Sequence, residues 1–119
     1  MNRQVIGLSM MLLTLGGCAS HKNLYYWGAY ESLLLNMYTD PGEATNEVQI
    51  QQLNDSIQSA QDFNMKVAPG IYAHLGMIYA REGNSKAALE AFEMEKRMFP
   101  EAVPFIDDML QRAKMRSKQ

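Results

Sequence analysis

Residues 69–100 read PGIYAHLGMIYAREGNSKAALEAFEMEKRMFP, and how this stretch folds decides the architecture of the chain. Tyr72, Leu75 and Tyr79 recur three and four residues apart, as do Ala88, Leu89 and Phe92, which is the spacing of one face of a helix. Between the two runs Gly83-Asn84 marks a turn, because glycine enters the left-handed backbone region at a helix end without steric cost. The expected unit is a helix, a short turn and a second helix. Gly76 and Ala88 lack bulk where the two helices would cross, and Tyr72, Leu75, Tyr79, Leu89 and Phe92 are expected to fill the space around that crossing.

The same residues resemble a tetratricopeptide repeat, a helix-turn-helix of about 34 residues with large, small and aromatic side chains at fixed places. With Pro69 as the first position, Tyr72 stands where the pattern has Trp. Leu75, Gly76, Tyr79, Ala88, Phe92 and Pro100 fall where it requires them. Glu95 departs from it: a small residue normally packs there against the next helix, so packing beyond this point is expected to be non-standard. One repeat cannot bury its own faces, and neighbouring helices must cover them.

Outward from the repeat, residues 104–116 carry Ile106, Met109, Leu110 and Ala113 on one stripe and read as a terminal capping helix. On the other side, Leu33, Leu34 and Met37 define the buried stripe of a helix over 26–38. YTDPGE stops it. Asp40, Pro41 and Glu43 then have the spacing of a capping box, predicting a second helix over 43–63. Its inner face is Ile50, Leu53, Ile57 and Ala60, and its outer face is Glu47, Gln51, Asn54, Asp55, Gln58 and Asp62. With no convincing alternating strand pattern, the expected fold class is all-α: tetratricopeptide-like helical hairpins, about five helices, over residues 26–119, with the best repeat at 69–102.

The first 25 residues differ in kind. Arg3 is followed by the apolar run Val5 to Leu15 and then by Gly16-Gly17-Cys18, the layout of an export signal. Eleven residues at the helical rise cover about 17 Å, too short for a hydrocarbon core of about 30 Å. Cys18 is the single cysteine of the chain, so an internal disulfide is excluded. Leu15-Gly16-Gly17-Cys18 resembles the lipobox of bacterial lipoproteins, which implies that residues 1–17 are a lipoprotein signal peptide and that Cys18 is acylated. Residues 18–25 would then be the lipidated N-terminus and a short tether. Ala19, where inner-membrane retention wants Asp, implies the outer membrane, with the domain facing the periplasm.

The formal charge is −2, with neither a basic patch nor an aromatic-basic alternation, so nucleic-acid binding is not expected. Asp107-Asp108 and Glu93/Glu95 point apart on their helices and are expected to be solvated. His74 has no ligand partner at a suitable spacing and reads as a packing or surface histidine, so neither a metal nor another cofactor is expected. Catalysis is not expected either, nor a small-molecule substrate; a hydrolase would need convergent polar groups in a pocket. The methionines from Met37 to Met115 are expected mainly as core filler. The aromatics Tyr25, Tyr26, Trp27 and Tyr30 are expected first to pack the first helix onto the repeat, next to contact a partner, and last to rest at a membrane interface. The resemblance to a tetratricopeptide repeat implies that the first helix of the pair lines a concave side, with Ala73, Met77, Ala80 and Arg81 facing the groove and Arg81 the natural contact for a carboxylate. The candidate partner-binding residues are therefore Tyr26, Trp27, Tyr30, Met77 and Arg81.

Together the lipobox, LYYWGAYE (24–31), PGIYAHLG (69–76), FEMEKRMFPEA (92–102) and FIDDML (105–110) resemble the proteobacterial lipoprotein family known as domain of unknown function 4810. Members are encoded beside a lipoprotein resembling the curli secretion pore CsgG. The resemblance implies protein partners among envelope lipoproteins, such as a CsgG-like pore, and an adaptor role in secretion or surface assembly. A second reading is a contact regulator of a cell-wall or envelope enzyme. No catalytic residues transfer from the family.

Overall fold

A computed structural model of the chain describes residues 23–116, with side chains as far as Gln111. Cys18 and the signal segment lie outside the described residues, as do the side chains of Ala113 and Met115. Among the described residues the fold is all-α: five helices, α1 (Tyr30–Thr39), α2 (Asn46–Asp62), α3 (Ile71–Arg81), α4 (Ser85–Met98) and α5 (Val103–Arg116), plus a short 3-10 turn at Pro100–Ala102. Two strands of two residues each, β1 (Tyr25–Tyr26) and β2 (Lys66–Val67), pair in parallel, Tyr25 opposite Lys66 and Tyr26 opposite Val67.

The α3–α4 hairpin is the centre of the domain. Gly83 takes φ +75° in the turn, and the Asn84 side chain accepts from the Ala87 amide at 3.1 Å to start α4. Gly76 faces Phe92: a Cβ on Gly76 would stand 2.6 Å from Phe92 Cε1, so the absence of bulk expected here is what lets the helices approach. Tyr72, Leu75 and Phe92 are buried around this crossing and Tyr79 is half-buried. Leu89 is not with them. It is 52 % exposed, outside the packed crossing.

Helix α2 lays its inner face on α3, with Leu53 and Ala60 fully buried and Ile50 and Ile57 at the margin, and the predicted outer face is exposed throughout. Helix α1 contributes Leu33 to the same core, while Leu34 and Met37 are half-buried. Helix α5 adds Ile106 to a smaller core with Ala73, Ala88 and Phe92, flanked by Met109 and Leu110.

The N-terminal boundaries differ from the sequence expectation. Tyr25, placed in the tether, and Tyr26, placed at a helix start, instead form β1, and α1 begins at Tyr30 after a turn in which Gly28 has φ +53°. Pairing with β2 draws these residues into the sheet, and the Ala68 amide donates to the Tyr26 carbonyl at 3.2 Å. Helix α2 starts at Asn46, not Glu43. Residues 40–43 close a turn through the Glu43 amide and the Asp40 carbonyl, and Thr45 Oγ1 takes the capping role, accepting from the Val48 amide at 3.4 Å.

Candidate functional site

Four helices line a groove of about 640 Å³. Met37 comes from α1; His74, Met77, Ala80 and Arg81 from α3; Ser85, Ala88, Leu89 and Phe92 from α4; and Met109 and Leu110 from α5. Helical spacing explains the α3 contribution, since residues 74, 77 and 81 stand one above another on one face. Of the four groove positions expected on α3, Met77, Ala80 and Arg81 are there. Ala73 is not: it points into the small core with Ala88, Phe92 and Ile106, and His74 takes its place. The methionines are less internal than expected. None of those described is fully buried, and three of them, Met37, Met77 and Met109, line the groove. An unbranched thioether side chain adapts its shape to what it touches, so such a lining can follow partners of differing contour.

His74 is the groove's buried polar residue. Its Nε2 lies 3.1 Å from Gln49 Oε1, and the Gln49 amide nitrogen donates to the Ala44 carbonyl at 2.6 Å, so the neutral ring donates through Nε2. Burial pushes its pKa down, and the Arg81 charge acts in the same direction. The histidine is thus a neutral strut that ties the loop before α2 to α3. Its depressed folded pKa means that the unfolded chain binds the extra proton. Stability contributed here is intact above the ordinary value of about 6.5 and declines as the pH falls below it. Thermal melts at successive pH values are expected to show the midpoint falling from neutral toward acid, with a shallower fall in His74→Gln. Parallel slopes for the two proteins would dismiss His74 as the source.

Glu95, expected on a solvated face with Glu93, is only 2 % exposed. Its Oε1 accepts from the Gly70 amide at 2.7 Å and its Oε2 from the Ala73 amide at 3.2 Å. It therefore caps α3 from the neighbouring helix. Gly70 precedes α3 with φ +91° and has no side chain to do this itself. The charge is felt nearby: burial and then the Glu95 charge push the Tyr30 and Tyr72 phenols up. Glu93 is exposed and pairs with Lys96 at 3.1 Å, and Lys96 also reaches Asp107 at 2.9 Å. Among the described residues no group of His, Cys, Asp and Glu is placed to hold a metal ion.

The aromatic candidates occupy a second surface. Tyr26 stacks on Phe63 with centroids 5.6 Å apart, and Trp27 on Tyr30 at 6.3 Å. Tyr30 in turn leans on His74 at 5.8 Å. The five candidate residues thus divide: Met77 and Arg81 share the groove, Tyr26 and Trp27 lie at the strand end of the domain, and Tyr30 stands between.

Residues 24–109 match the family described as Domain of unknown function (DUF4810). The chain belongs to that family. No curated protein and no solved structure matches it. The DUF4810 span begins at Leu24 and runs through Met109, so it takes in the strand end and all of the groove lining except Leu110. No described helix of this DUF4810 member is long and apolar enough to cross a membrane.

Proposed function

We propose that the chain is an outer-membrane-anchored periplasmic lipoprotein whose tetratricopeptide-like hairpin acts as a protein-interaction adaptor, and that it has no enzymatic activity. The groove carries this reading. Its wall is mainly apolar, built from Met37, Met77, Leu89, Met109 and Leu110, and Arg81 supplies one cation for an acidic group on the partner. Among the described residues no carboxylate lines it, so His74 has no acidic partner there for acid–base work. The anchor rests on Leu15-Gly16-Gly17-Cys18 and the outer-membrane address on Ala19. The partner is a neighbouring envelope lipoprotein, for which a CsgG-like pore is the leading candidate.

The test is affinity capture of the full-length protein from solubilised envelopes, with Cys18→Ser and a Met77→Asp/Arg81→Glu double variant beside it. Met77 and Arg81 are exposed, so the double variant leaves the core untouched. A CsgG-like lipoprotein is expected to co-purify, with recovery falling at least about tenfold in the double variant, equivalent to about 1.4 kcal/mol of binding. Undiminished capture by a folded double variant would remove the groove from the account. Cell-wall enzymes in place of a lipoprotein would favour the contact-regulator reading.

A further inference from the structure

We propose that the strand end of the domain, with Leu24, Trp27, Phe63 and Met65 at its surface, seats itself in the headgroup–acyl boundary of a phospholipid bilayer and so fixes how the groove is presented. This rests on the reading of Cys18 as the lipid anchor.

Chain length supplies the first argument. Asn23 comes five residues after Cys18, and five residues reach at most about 18 Å even when fully extended. Two residues further on, β1 is fixed to β2 by the pairing of Tyr25 and Tyr26 with Lys66 and Val67. The end of the domain that carries these strands is therefore held next to the membrane whatever the rest of the molecule does. A domain tethered this closely meets the bilayer surface at high effective concentration, so even a modest affinity of that end for lipid decides its orientation.

The second argument is what that end exposes. Leu24 is 78 % exposed, Phe63 65 % and Trp27 39 %. Leu24 precedes β1 and Phe63 follows α2, far apart in sequence; the strand pairing and the Tyr26–Phe63 stack gather them at one end. Asn23, Tyr26, Trp27, Gly28, Phe63 and Met65 border a shallow hollow there. Tryptophan and tyrosine are the side chains that favour the membrane–water boundary, since each ring is apolar with one polar tip. Among the described residues, the charges that flank them in sequence, Asp62 and Lys66, are exposed and of opposite sign, so the attraction argued here is apolar. The hollow at this end and the groove share no lining residue.

Trp27 is the one tryptophan of the chain and reports on this end directly. Full-length protein, its acylation on Cys18 checked by mass spectrometry, is placed in phosphatidylcholine vesicles whose acyl chains carry bromine near the glycerol. The expected result is at least about a twofold loss of Trp27 emission relative to unbrominated vesicles, at low and high salt alike, as for a ring at the interface. A Leu24→Ser/Phe63→Ser variant, acylated and with unchanged circular dichroism, is expected to remain vesicle-bound and lose the quenching. Acylated, vesicle-bound protein with unquenched Trp27 overturns the proposal and leaves the anchor standing. Protein without acyl chains on Cys18 overturns both. A Trp27 shift that depends on protein concentration without lipid, with no quenching in vesicles, would assign this end to a second copy of the chain.

Discussion

Replacing Glu95 with alanine is expected to lower the unfolding free energy by about 3 kcal/mol, because two helix-start amides lose one charged acceptor. The Gly70 and Ala73 amides point at the first turn of α3, where no intrahelical carbonyl is available to them. Ala73 is buried and Gly70 half-buried, so water cannot simply replace the carboxylate at both. The opposite result follows from the repeat pattern alone: a small residue is usual at this position, and alanine has slightly better helix propensity than glutamate. Urea unfolding followed by circular dichroism separates the two. Glu95→Gln keeps one oxygen but presents an NH₂ group to the second amide, so its loss should lie between wild type and alanine. An alanine variant within about 0.5 kcal/mol of wild type, the range of ordinary surface changes, would mean that the capping bonds contribute nothing net.

That contrast shows where the sequence was legible and where it was not. The hairpin could be read because its determinants are local: Gly83-Asn84 makes the turn, and Gly76 and Phe92 each lie at a spacing that a helix dictates. The stripe of α2 was readable for the same reason, with Leu53 and Ala60 inside and Gln51 and Asp55 outside. Glu95 was not, since its partners lie 22 and 25 residues away. A signal did exist: Pro69-Gly70-Ile71 opens a helix with no side chain able to cap it, so the missing acceptor had to come from elsewhere. The β1–β2 pair left no such trace. Two residues per strand give no alternation to detect, and aromatic Tyr25-Tyr26 suits a helix flank as well as a strand. Among the candidate site residues, Met77 and Arg81 were placed by the resemblance to a tetratricopeptide repeat, whose first helix lines the concave side. Ala73 and Leu89 were misassigned because the choice between groove and core on α3 and α4 turns on about 100° of helix rotation, less than the pattern resolves.

Gly76→Ala is expected to destabilise the domain by about 2 kcal/mol, although glycine to alanine inside a helix ordinarily gains up to about 1 kcal/mol. The new Cβ would stand 2.6, 2.7 and 3.0 Å from Cε1, Cδ1 and Cζ of Phe92. Those atoms belong to a rigid ring that is buried with Ala73, Ala88 and Ile106, so it yields only by moving as a whole and not like the tip of a flexible chain. Overpacking of this kind costs about 1–3 kcal/mol once the neighbours have shifted, which outweighs the propensity gain. Relaxation has a preferred direction. Phe92 also forms part of the groove wall, where the lining is open, and a ring displaced by Gly76→Ala moves into that space. The variant should therefore lose partner capture as well as stability. Phe92→Leu removes the obstructing ring, so the double variant Gly76→Ala/Phe92→Leu should be more stable than the sum of the single effects by 1 kcal/mol or so, the size expected for residues in contact. Strict additivity, or a Gly76→Ala protein that melts higher than wild type, would show that the hairpin crossing has more room than this geometry gives it.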